Sequence, residues 1–221
     1  EFRRVLFRSH VYALEEELLL DFEPGLTGPI LERFEHYIVA DDVQAVDVAP
    51  FYGLLSVQGP RATEVLDFLE LGIPHPTQPH AFSKRSAPDT GDLYVVCHPR
   101  LGTAGYDFFV PEAAFEDLFA KLSEAVSLAK GRRAGWSAFE QVRIEAGIPR
   151  FPVDMDETNL APEAGDHFVQ QAISYSKGCY IGQEVIARIH WRGQPARRMR
   201  GLRLDKPLDL APERLGRSEE H

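Results

Sequence analysis

The 221-residue chain is poor in sulfur, with two cysteines and two methionines. Cys97 and Cys179 cannot build the multi-bridge framework of a small secreted domain, so free thiols in a reducing compartment are expected. Two cysteines cannot complete a tetrahedral zinc site alone, and no Cys-x-x-Cys or His-x-x-x-His spacing is present to help them. No apolar run is long enough to span a bilayer, so a soluble chain with no membrane partner is expected. Positive charge is also in deficit. A net charge of −10 argues against generic nucleic-acid or membrane-surface binding unless basic residues are segregated locally. Short-period repeats and low-complexity tracts are missing as well. What remains is 44% hydrophobic, enough for a packed core and one or two domains.

The two ends read as foreign. "VLFRS" at Val5–Ser9 and "RSEEH" at Arg217–His221 can be back-translated into strings that are reverse complements of each other, as a translated sequencing adapter would be. Residues 1–9 and 216–221 are therefore treated as non-native ends and kept out of fold reasoning.

Between them the punctuation is regular. "HVYALEEELLLDFEPG" reads as strand and turn, and "GPILERFEHYIVADD" as a helix with Pro29 in its first turn. "VQAVDV" and "YGLLSVQ" read as strands, and "GPRATEVLDFLELG" as a helix from Pro60 to Gly72. A Pro- and His-rich loop with one strand spans 73–90. "DLYVVCHP" and "GYDFFVP" are strands, and "PEAAFEDLFAKLSEAV" and "AGWSAFEQVRIEAG" are helices. The order predicts an α+β fold with mixed sheets. A long Pro- and Asp-rich connection, 148–172, has the character of a ligand-lining segment.

Cys179 lies in "SKGCYIGQEVIARIHWRG", between Gly178 and Gly182 and ahead of a short amphipathic helix. The helix N-terminus and nearby Lys177 would favour thiolate over thiol, which suits a nucleophile, a redox sensor or a soft-metal ligand. The plainer alternative is a small residue filling a tight turn. Cys97, inside "LYVVC", reads as strand filler.

"KGCYIGQE" resembles the K-G-C-[YF]-x-G-Q-E signature of the YgfZ-type folate-binding proteins, in the superfamily of the glycine-cleavage T-protein (aminomethyltransferase). "LSVQGPRATEVL", "GTAGYDFFVP" and "RIEAGIPRFPVDMDETNLAPEAG" precede it in that family's order and spacing, so the likeness covers Val11 to Leu204. The resemblance implies a folate-binding core of paired ferredoxin-like halves over 10–196 and a truncated C-terminal β-barrel beginning over 197–215. It implies tetrahydrofolate as cofactor, and a role in maturation or repair of iron–sulfur enzymes, with those enzymes or assembly proteins as partners and a link to tRNA modification. A cytoplasmic location is implied, or a mitochondrial one in a eukaryote. Cys179 matches the functional cysteine, and Lys177, Tyr180, Gln183 and Glu184 match the rest of the signature. By the same likeness Asp107, beside Tyr106, and Arg143 match folate-contacting positions. A carboxylate can accept hydrogen bonds from a pterin, and a guanidinium can hold a folate carboxylate through two of them. Asp107 as a strand-edge charge and Arg143 paired with Glu140 are the ordinary alternatives.

Aminomethyltransferases resemble K-G-D-F-x-G-R/K-E at the signature, with Asp in place of Cys179 and a basic residue in place of Gln183. That favours an accessory factor over a one-carbon transferase, which stays as the alternative. The aspartate those enzymes place near folate N5 would fall just ahead of Val11–Tyr12, within the foreign end. Six arginines (188, 192, 197, 198, 200 and 203) lie between Glu184 and Asp205 with no acidic residue among them. They read first as a solvated strand and turn, and otherwise as a contact for a folate polyglutamate tail or an RNA backbone, with His190 and Trp191 able to stack on a base. "DMDETN" with Glu163 and His167 lacks any known metal-loop spacing, and no metal is expected there.

Overall fold

A computed structural model describes residues 9–203 and 205. The first element is a hairpin, β1 (Ser9–Ala13) against β2 (Leu18–Phe22), antiparallel with His10 opposite Asp21 and Tyr12 opposite Leu19. One expected strand is therefore two. Helix α1 (Thr27–Tyr37) follows, burying Ile30. The expected strand at Val43–Val48 does not form. Its residues run without a sheet partner, and Val43 and Val46 stand exposed. Alternation of apolar residues fits a half-buried pleat, but only where a neighbouring strand is at hand.

The main sheet contains β3 (Tyr52–Gln58), β4 (Phe82–Ala87), β5 (Gly91–Cys97) and β6 (Gly105–Pro111), in the order β3-β6-β5-β4 and antiparallel throughout. Helix α2 (Ala62–Leu69) starts two residues after Pro60 and stops at Glu70, whose φ of 45° is left-handed. Helix α3 (Phe115–Leu128) follows β6.

Period-2 patterning on β6 sends Tyr106, Phe108 and Val110 toward one face, where Val65 and Leu66 of α2 and Leu118, Leu122 and Ala125 of α3 meet them at helical spacing. Phe108 is fully buried, a contribution of about 1.5–3 kcal/mol from apolar burial. The alternate residues of β6, Asp107 and Phe109, fall on the opposite face. There Tyr12 of the hairpin meets Phe109 ring to ring at 5.9 Å.

Helices α4 (Trp136–Glu145), α5 (Asp166–Ala172) and α6 (Gln183–Arg192) complete the chain. Phe151, Met155, Ala164 and Phe168 form a second, smaller core, against which Leu26 and Met199 pack. The long connection is thus not irregular throughout: it contains a 3-10 turn at Ala161–Ala164 and α5.

The α+β class is observed, with one correction: both sheets are purely antiparallel rather than mixed. Among the described residues β3, β4, β5 and β6 make one sheet packed by α2 and α3, and α3 is followed by helices. The expected strand at 197–204 is absent over 197–203, and most of the expected barrel segment lies outside the described residues. No helix among the described residues is long and apolar enough to cross a membrane.

Candidate functional site

Asp107 is fully buried at the centre of the sheet's second face. Its cross-strand neighbour Ser56 donates to Oδ1 at 2.7 Å. On Oδ2 it accepts from Arg100 Nε at 2.7 Å and lies 2.6 Å from His98 Nδ1. An ionised carboxylate only accepts, so Nδ1 carries the proton. Both ligands come from the loop joining β5 to β6. Gln58 holds that loop in place: its Nε2 donates to His98 O at 3.0 Å and its Oε1 accepts from Arg100 N at 3.0 Å. Gly105 makes this possible, because a Cβ there would collide with the Gln58 side chain. Burial pushes the Asp107 carboxyl pKa up, but the His98 hydrogen bond and the Arg100 charge outweigh it and hold the group below the usual carboxylate range.

Arg100 also reaches back to the hairpin, with Nη2 2.7 Å from Asp21 Oδ2. Burial disfavours its charge, yet the two carboxylates overcome that and raise its pKa. The hairpin brings His10 to the same place, with Nδ1 3.8 Å from Asp21 Oδ2. His80, from the loop before β4, stacks on the His10 ring at 5.2 Å. The His98 ring lies 4.2 Å from that of His10 and 5.3 Å from that of His80. Three histidines from three separate segments thus meet over one buried carboxylate.

Arg143, buried on α4, is held by a second set of charges. It forms two bonds to Glu140, 3.0 Å from Nε and 2.9 Å from Nη2, and Nη1 lies 2.6 Å from both Asp154 Oδ2 and the Ile148 carbonyl. Burial disfavours the guanidinium charge, and these partners restore it, raising its pKa. Arg150 joins the set through Glu140 at 3.2 Å, Glu23 at 3.1 Å and the Trp136 ring at 4.7 Å. Asp21 and Glu23, two residues apart, therefore fasten the same hairpin end to both clusters. The pairing of Arg143 with Glu140, foreseen as the ordinary alternative, is what the geometry contains. Asp107 is likewise committed to three donors, so contact with a pterin would require one of them to be released.

The signature forms a separate, exposed region. Cys179 is exposed, while Cys97 is half-buried and its thiol pKa is raised by burial. Gly182 takes φ = 88° at the start of α6, a left-handed turn that favours glycine. Gln183 reaches back so that its Oε1 accepts from the Tyr180 N–H at 3.1 Å, closing the turn that follows Cys179. Lys177 Nζ sits 4.9 Å from the Tyr180 ring centroid, a cation–π arrangement. Glu184 pairs with Arg188 at 2.6 Å, as the i,i+4 spacing predicts. His190 already stacks on Tyr175 at 3.9 Å, while Trp191 is exposed. In "DMDETN", Asp156 Oδ1 accepts from Thr158 N at 2.9 Å and Glu163 Oε2 from Leu160 N at 3.0 Å, so these carboxylates shape turns.

The structure places Tyr106 and Asp107 on opposite faces of β6, with the Tyr106 hydroxyl 3.3 Å from Thr63 Oγ1 on the helix side and so away from the Asp107 cluster. Lys177, Tyr180, Gln183 and Glu184 lie in the same exposed segment as Cys179, making their own contacts with Tyr180, Gln183, Tyr180 N–H and Arg188 respectively. The sequence reading overlooked His10, His80, His98 and Arg100. No motif spacing links positions 10, 80 and 98; only the sheet register and the hairpin's seat on it bring them together.

Comparison with known proteins agrees with the motif reading. Residues 11–172 match the family described as the GCVT N-terminal domain. The chain is 27% identical over 208 residues to a putative chloroplastic transferase of Arabidopsis thaliana, an alignment covering 93% of this chain and 46% of the relative. It is 28% identical over 196 residues to an aminomethyltransferase of Mycobacterium leprae, covering 87% and 50%. It is 28% identical over 166 residues to the tRNA-modifying protein YgfZ of Hamiltonella defensa, covering 74% and 44%. The chain spans about half the length of these curated relatives. With the cysteine signature in place of the transferase one, the chain belongs to the GCVT N-terminal domain family as a YgfZ-type member.

Proposed function

We propose that the protein binds tetrahydrofolate and supports iron–sulfur enzymes, among them one that modifies tRNA, with Cys179 as its reactive group. The observation that carries this reading is the cysteine signature: Cys179 is exposed just ahead of a turn that Gln183 closes on Tyr180 at the start of α6. Tetrahydrofolate is inferred from the family match, and the tRNA link from the relative named for it. Arg143 and Asp107 are the residues assigned to folate. The partners are then iron–sulfur enzymes or their assembly proteins, in the cytoplasm or, in a eukaryote, the mitochondrion.

Complementation tests the role of the thiol. Wild type is expected to restore iron–sulfur-dependent tRNA modification in cells lacking their own YgfZ-type protein, and Cys179→Ser is expected to fail at equal protein level. Full rescue by Cys179→Ser would remove the thiol from the mechanism.

The second reading, a folate-dependent aminomethyltransferase, is favoured by the relatives of that name. It predicts methylenetetrahydrofolate formation from an aminomethyl donor. Cys179 and Gln183, where those enzymes resemble Asp and a basic residue, weigh against it.

A further inference from the structure

We propose that His10, His80 and His98 form a binding site for one divalent transition-metal ion of the zinc class. One ring nitrogen from each histidine lies within 4.8 Å of the others. Zinc holds imidazole nitrogens at about 2.0–2.1 Å, which places ligand atoms about 3.4 Å apart in a tetrahedron. Closing the triad therefore needs ring movements of little more than about an ångström. His80 is exposed and sits in a loop, so the last ligand has room to move.

Five features of the surroundings point the same way. His98 gives Nδ1 to buried Asp107, which fixes its tautomer and leaves Nε2 as the nitrogen with the lone pair. This carboxylate–histidine pairing is the support that metal-bound imidazoles need. Asp21 lies beside His10 at 3.8 Å, near enough to act as a fourth ligand or to steady a bound water. Charge also favours a cation: Arg100 neutralises one of the two carboxylates it touches, Asp21 and Asp107, and one negative charge is left over. Finally, Tyr12 follows His10 by two residues on the same strand, so it shares that face. Its hydroxyl is the one buried side-chain polar atom among the described residues without a hydrogen-bond partner. An unpaired buried hydroxyl is unfavourable, and a metal-bound water would satisfy it. His80 also holds a left-handed backbone with φ of 65°, uncommon for a residue with a side chain and frequent at functional positions.

Three neutral imidazoles suit zinc, cobalt, nickel or copper over magnesium or calcium. The inference is independent of the folate reading, so failure of either leaves the other standing. The test is a Co2+ titration of the chelator-treated 221-residue chain, followed by visible d–d absorption and reversed with Zn2+. One equivalent is expected, in a band typical of nitrogen and oxygen ligands and without thiolate charge transfer. Two variants are chosen to retain the fold. His80→Asn suits a left-handed position, and His98→Asn keeps an amide donor for Asp107 while removing Nε2. Each is expected to weaken Co2+ affinity at least about tenfold. His36→Ala, outside the cluster, should bind as wild type does. Zn2+ should raise the thermal midpoint of the wild type but not of His80→Asn. Lack of stoichiometric binding, a thiolate band, or wild-type affinity in both asparagine variants would overturn the proposal.

Discussion

The Asp107 cluster and the Cys179 turn are built on opposite principles. Asp107 is out of contact with water and takes three donors, one each from Ser56, His98 and Arg100. Cys179 is exposed next to a turn closed by one side-chain bond, from Tyr180 N–H to Gln183. Charge buried that deeply persists only if every partner stays in place, because an ion left alone in the interior costs several kcal/mol. An exposed thiol stabilises nothing and is available for chemistry. The first region holds the hairpin on the sheet, whereas the second presents a reactive atom.

Substitutions can break that contrast. The largest effect is expected at Asp107. Asp107→Ala leaves Arg100 and His98 without their shared acceptor and should cost about 3–5 kcal/mol in urea unfolding. A loss below about 1 kcal/mol would mean the cluster is not an anchor. Arg143→Ala comes next, at about 2–3 kcal/mol, since its Glu140 and Asp154 partners retain some access to water. Gly182→Ala must place a Cβ at φ = 88° and should cost about 1–2 kcal/mol, read by the same unfolding curves. Cys179→Ser should stay within about 0.5 kcal/mol of wild type.

Acid sharpens the same comparison. Asp107 and Glu140 are both lowered below their ordinary pKa values, Asp107 against its burial and Glu140 chiefly by its Arg143 hydrogen bond. Such groups add stability that is complete above the unfolded carboxylate pKa of about 4 and is lost as pH falls through the folded values. Urea midpoints should therefore hold from neutrality to about pH 5 and fall below about pH 4. Asp107→Asn should flatten part of that slope.

How much of this was readable beforehand depended on whether the signal was local. Helix α3 and strands β3, β5 and β6 follow from period and punctuation alone, and α6 from Gly182 and the Val185–Ile189 spacing. Val43–Val48 had the right alternation but found no neighbouring strand. The strand at the start of the chain was read as one because the turn at Glu15–Glu17 contains no Gly, Pro, Asn or Asp to mark it. At the candidate sites, the signature loop was legible as a motif and the Arg143–Glu140 pair as a helical i,i+3 spacing. The Asp107 cluster was not, because its members come from β1, β2, β3, β6 and two loops. Cross-strand register, which the sequence does not print, is what joins them.

The measurement that bears most directly on the central claim is a titration of the 221-residue chain with tetrahydrofolate, comparing wild type, Arg143→Lys and Cys179→Ser. One equivalent should bind to wild type and to Cys179→Ser alike. Arg143→Lys, which keeps the charge but loses the planar fork, should bind at least about tenfold more weakly. Absence of saturable binding to wild type, or undiminished affinity in Arg143→Lys, would contradict the account.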